Sequence, residues 1–223
     1  MGGRGASSNI ISPGGGGGGN NNFGTGLGFP NYNSLKDAIG PKKRRSFSMA
    51  DAVSSSNPHY SRQYADFSEN CQRAVIAYEA RRRGYDVTAQ PTYNGDNLPS
   101  PAHINPNTGL RHSFWMGAFQ KAQPIAVGKS TAQATQRAVE AKMREFGEGS
   151  RAILQVHWSG GGGHVLNVEY RSGRIYYNDA QVNGRYRPAE LFAALRTADT
   201  QLVRTDNLRF SERAKKSITK DKW

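Results

Sequence analysis

Cysteine is nearly absent: the 223 residues contain one, Cys71. A single thiol excludes an intrachain disulfide and any zinc site built from several cysteines. No run approaches the ~18 apolar residues of a membrane-spanning helix, so no membrane partner is expected. Met1-Gly2-Gly3-Arg4-Gly5 lacks the apolar stretch of a signal peptide. Acidic residues are scarce as well, 17 against 30 Lys and Arg, giving a net charge of +13. The excess is spread along the chain, with over half in its flanks. It suits an acidic partner, such as a weak nucleic-acid contact through basic tails, and equally suits plain solubility.

Glycine is abundant instead, at 26 residues, and concentrated early, as in Gly14–Gly19 beside the asparagines at 20–22. Residues 1–57 offer little to bury against the entropy of ordering, so they read as a disordered basic tail. Inside it, Pro41-Lys42-Lys43-Arg44-Arg45 is a compact basic cluster. It has the form of a targeting or nucleic-acid signal and is also what a solvated surface run looks like. Residues 58–212 read as one domain, and residues 213–223 as a basic C-terminal tail.

Within the domain a first helix is predicted over residues 70–83. Asn70 is placed to cap it, Gly84 suits the position after its end, and Cys71, Val75 and Tyr78 share a face. Residues 90–129 are rich in proline and read as an irregular segment of the kind that often forms a binding edge. Phe114, Trp115 and Phe119 are its expected anchors. A second helix is predicted over residues 131–146 behind a Ser130–Gln133 capping pattern. Strands are expected over 152–158, 164–170 and 174–177, the last two joined by a tight Ser172-Gly173 turn. A helix over 188–197 and a strand over 202–210 follow. The order gives an α+β fold, with helices packed on an antiparallel sheet.

Three residues stand out chemically. A thiol in the first turn of a helix faces unpaired N–H groups and the positive end of the dipole, which favours a thiolate and can hold an oxyanion. Cys71 fits that place, although its alignment with Val75 and Tyr78 also suits a small core residue. His164 follows the glycine run 160–163 and opens a strand, a position suited to a general base. His157 competes with it, while His59, His103 and His112 fall in the tail or the irregular segment. Asp179 ends the next strand. If the two strands pair as a hairpin, the start of one lies beside the end of the other, so His164 and Asp179 become neighbours, as an orienting carboxylate requires. Gly128-Lys129-Ser130 is no phosphate loop, because Gln123 stands where a glycine is needed. No spacing suggests zinc ligands, so neither metal nor cofactor is expected.

Asn70-Cys71-Gln72-Arg73, Ala77-Tyr78-Glu79 and Arg81-Arg82-Arg83-Gly84-Tyr85-Asp86-Val87 resemble the papain-fold toxin domain found in phage minor head proteins and bacterial polymorphic toxins. Gly163-His164-Val165, Glu169, Asp179-Ala180-Gln181 and Arg204-Thr205-Asp206-Asn207-Leu208 extend the resemblance, in order, across residues 65–212. It implies a papain-like cysteine-enzyme fold and deamidation of protein glutamine. Cys71 would be nucleophile, His164 general base and acid, Asp179 the orienting carboxylate, and Asn70 and Gln181 polar supports. It further implies a glutamine-bearing protein substrate, an immunity protein, and action in a target cell's cytoplasm after virion or secretory delivery. A cysteine peptidase or isopeptidase would use the same three residues. A non-catalytic phage structural protein is the alternative of another class. One position departs from the pattern: family members often carry a second cysteine where this chain has Ala74. If that second thiol were the nucleophile, the chain would be an inactive form.

Overall fold

The computed structural model describes residues 32–61, 65–92 and 114–221. Six α-helices are present among them: α1 Leu35–Ile39, α2 Met49–Ser55, α3 Ala65–Ser68, α4 Cys71–Arg82, α5 Ala132–Phe146 and α6 Pro188–Ala193. The strands are β1 Thr88–Ala89, β2 Ile125–Ala126, β3 Arg151–His157, β4 Gly163–Arg171, β5 Arg174–Asp179, β6 Gly184–Tyr186, β7 Gln201–Arg204 and β8 Ile218–Thr219. Six of them form one antiparallel sheet in the order β2-β7-β3-β4-β5-β6. β1 and β8 pair separately.

Both faces of the sheet are covered. Ile153, Val165 and Val203 meet α4 on one face, while Leu154, Leu166, Val168 and Leu202 meet α5 and α6 on the other. This is why β3 is buried at alternate polar positions as well as apolar ones. Gln155, for example, takes the indole N–H of Trp115 at 3.1 Å. Trp115 and Phe119 are buried, as the expected anchors of their segment; residues 93–113, with His103 and His112, lie outside the described residues.

α4 is enclosed over all twelve residues rather than along one stripe. Its polar side chains are therefore buried, and each must be paired to offset lost hydration. Glu79 accepts from Arg83 at 2.7 Å and from Arg151 on β3 at 2.8 and 2.9 Å. Glu169 on β4 accepts from Tyr78 and Arg82, both at 2.9 Å. Arg81 bonds Asp51 on α2 at 2.7 Å and Asp86 at 2.9 Å. The helix stops at Gly84, whose φ is +94° and where an added Cβ would lie 1.9 Å from the Arg44 carbonyl oxygen, leaving no room for a side chain. α5 starts one residue later than expected: Thr131, not Ser130, accepts from the Ala134 N–H. The Ser172-Gly173 turn has φ of +52° and +73°, the two-residue form that matches strand twist.

The expected boundaries at 57 and 213 do not hold. Residues 32–57 form two short helices capped by Ser34 and Ser48, with Ala38, Phe47, Ala52 and Val53 buried. The Phe47 ring lies between the Arg44 and Arg81 guanidinium groups, each 4.4 Å from its centroid. At the other end Ile218 and Thr219 are buried in the β8 pairing to Ala89 and Thr88. The two ends meet: Lys220 N–H donates to the Ala38 carbonyl at 2.8 Å, and the Tyr32 hydroxyl to Asp221 at 2.6 Å. A few well-placed apolar residues outweigh a composition that otherwise reads as tail. Each large apolar side chain contributes about 1.5–3 kcal/mol on burial, against a net stability of roughly 5–15 kcal/mol. A chain trimmed to residues 58–212 should therefore aggregate or melt without a cooperative transition, whereas residues 32–221 should melt cooperatively. Equal melting temperatures for the two would refute the corrected boundaries.

Candidate active site

Strand register gathers four side chains at one end of the sheet. Val156 pairs with His164, so His164 shares a face with Val156 and, two residues on, with Trp158. Val168 pairs with Tyr177 and Tyr177 with Tyr186, which puts Asp179 and Tyr186 on that same face. Contacts follow from this placement. His164 Nε2 lies 2.8 Å from Asp179 Oδ2. The Trp158 ring stacks on the imidazole, centroids 5.7 Å apart at 27°. Tyr186 lies close enough to Asp179 to lower the carboxyl pKa, and the Gln181 N–H donates to the carboxylate's other oxygen at 3.0 Å. Cys71, the first residue of α4, meets this group at the rim, close enough to His164 to help raise the imidazole pKa.

Burial opposes a charge on His164, but the Asp179 carboxylate and its hydrogen bond outweigh this and hold the imidazole pKa well above 6.5. Burial likewise pushes Asp179 up, yet His164 and the Tyr186 and Gln181 hydrogen bonds bring its carboxyl below 3.8. Burial, then Asp179, pushes the Tyr186 phenol far above its ordinary range. The buried pair is therefore ionised.

Asn70 and Gln181 act differently from expectation. Asn70 makes no side-chain cap to α4. Its amide is committed to the Gln90 carbonyl at 2.9 Å and Asn57 Oδ1 at 3.2 Å, while Thr92 donates to its Oδ1 at 2.8 Å. Asn57 in turn donates to the Gln181 carbonyl at 2.8 Å. This chain of amides ties the start of α4 to the segment after Asp179. Gln181 supports Asp179 through its backbone, and its Oε1 has no hydrogen-bond partner among the described residues. His157 is buried on the α4 face of β3, away from Asp179. His59 is exposed near Phe67. Trp158 and Tyr186 escaped the sequence reading, since only register brings either to His164 and Asp179; the aromatic flanking the glycine run was the one local sign. Among the described residues no group of three or more His, Cys, Asp or Glu converges as a metal site requires, and no helix is long and apolar enough to cross a membrane.

A buried Cys–His–Asp line beside a helix start, on an α+β core, is the arrangement of a papain-like fold. The family model described as papain fold toxin 1, glutamine deamidase, matches residues 69–184, just over half of the chain, and the protein belongs to that family. No curated protein and no solved structure matches it.

The His164–Asp179 pair carries a pH signature. A His whose pKa rises on folding stabilises fully below its unfolded value near 6.5, and that stability is lost as pH climbs through the folded value. An Asp whose pKa falls on folding stabilises above about 3.8, and that stability is lost as pH drops through the folded value. Asp179→Asn should lower the imidazole pKa read by NMR and flatten the loss of stability above pH 6.5. An unchanged His164 titration would show that another group holds its proton.

Proposed function

We infer that this protein is a thiol-dependent glutamine deamidase acting on protein side chains. The observation that supports the reading is the 2.8 Å His164–Asp179 pair with Cys71 beside it at the start of α4, all within the residues that the family model matches. Nε2 of His164 is taken by Asp179, which leaves Nδ1 to exchange a proton with the thiol. A protonated imidazole is also the counter-ion that a thiolate needs.

The Cys71 thiolate attacks the side-chain carboxamide carbon and forms a tetrahedral intermediate. Its oxyanion is received by N–H groups of the first turn of α4, which Asn70 leaves uncapped. His164 passes its proton to the amide nitrogen, and ammonia departs with the C–N electron pair. A thioester to Cys71 remains. His164 then takes a proton from water, the hydroxide adds to the thioester carbon, and glutamate leaves as the C–S bond breaks. Asp179 keeps the imidazole oriented throughout, steadied by Tyr186 and the Gln181 N–H. Ala74 lies one helical turn further in, wholly buried in the apolar core, whereas Cys71 is the residue that acts on the His164 pKa. That difference favours Cys71 as nucleophile and an active enzyme over a silenced one. An enzyme that alters host proteins also requires a neutralising partner wherever it is made, which supports an immunity protein.

Incubation with a bacterial lysate should release ammonia and convert glutamine to glutamate in a restricted set of proteins, detected by peptide mass spectrometry. Cys71→Ala should reduce this by about 10³-fold or more, and His164→Ala comparably. Undiminished deamidation by the Cys71 variant would sink the assignment. New peptide termini in place of deamidated glutamines would identify a peptidase.

A further inference from the structure

At the end of α4 remote from Cys71, a cavity of about 430 Å³ opens between residues 35–45, the last turn of the helix and residues 209–210. Six of its ten lining residues are cationic and none is acidic. Three of the six form a floor that is already engaged. Arg82 is held by Glu169 at 2.9 Å, and Arg83 and Arg151 share Glu79 at 2.7 and 2.8 Å. Three guanidinium groups against two carboxylates leave that floor positive.

The remaining three are Lys42, Arg45 and Arg209. All are exposed, and none has a carboxylate partner among the described residues. Lys42 lies over the Tyr85 ring, 5.5 Å from its centroid. The nearby Glu212 is occupied by the Leu35 N–H at 2.9 Å. Lys42 and Arg45 belong to the basic cluster seen in the sequence. Backbone bonds from Lys43 and Arg44 to the Gly84 carbonyl, at 2.9 and 3.4 Å, fix that cluster against the helix end. Exposed cations from two separate chain segments are thus gathered at one mouth. Their mutual repulsion costs stability until an anion relieves it.

We propose that this cavity binds a small polyphosphate, an anion with two or more linked phosphoryl groups. Arg45 and Arg209 supply planar forks that match phosphate oxygens, and Lys42 supplies a point charge. The volume lies within the range of small-ligand sites. Leu35, Ile39 and Phe210 border the cations, so the mouth is a local pocket of a few residues rather than the long strip of contacts a duplex would need. Binding would join residues 35–45 and 209–210 to α4 and stabilise the fold.

The full chain titrated with inorganic triphosphate should show one saturable site by calorimetry and a melting temperature that climbs with ligand concentration. Arg45→Ala/Arg209→Ala, which removes two exposed side chains, should melt normally without ligand yet bind at least tenfold more weakly. A nucleoside triphosphate and inositol hexakisphosphate run in parallel separate the sources of this chemistry. Preference for the former points to base contacts at Tyr85 and Phe210, preference for the latter to a ring of phosphates. Absence of saturable binding for all three, or unchanged affinity in the double variant, would overturn the proposal. So would tighter binding of duplex DNA than of triphosphate, lost in the same variant.

Discussion

The full enclosure of α4 is the constraint on which the rest of the structure depends. A helix carrying glutamate and consecutive arginines can be buried only if each charge meets its opposite, and the partners come from α2, β3, β4 and the turn after the helix. The cost of removing one member exceeds the gain of any one pair, because the survivor is left charged in a dry interior. Those partners fix the helix's position over the sheet. They do so far from the thiol, so the end of α4 that carries Cys71 is located by the end that carries charge.

Around the candidate site, the geometry is that of a sheet face rather than a loop. Trp158, His164, Asp179 and Tyr186 occupy one face through strand pairing. A one-residue slip in register would send half of them to the other side. The amide chain through Asn70, Asn57 and Gln181 then links the thiol's helix to the carboxylate's loop. Precision at the site thus comes from backbone pairing and neutral amides around the charged His164–Asp179 pair.

Much of this was legible in the sequence because it is local. The ends of α4 before Gly84 and of α5 at Gly147, the Ser172-Gly173 hairpin and the adjacency of His164 and Asp179 follow from glycine stops and turn chemistry. What was hidden is tertiary. Nothing local distinguishes Phe47 or Ile218 from tail residues, since their burial depends on α4 and on each other's segments. Asn70 has the right identity for a cap, but Gln90, Asn57 and Thr92 claim its side chain first. α4 shows no clean stripe because it has no solvent face. Tyr186 contributes through an Asp that lies seven residues earlier in sequence and beside it only in space.

Tyr32 and Asp221 touch, and the backbone of Lys220 bonds that of Ala38. The folded unit is therefore closed on itself like a ring with a clasp. A short peptide could bridge the clasp and new ends be cut at an exposed turn such as Ser172-Gly173, giving a circular permutant with the same contacts. The same closure lets the unit hang from, or sit within, a larger polypeptide without pulling its host apart: entry and exit occupy one spot, on the side of α4 away from the thiol.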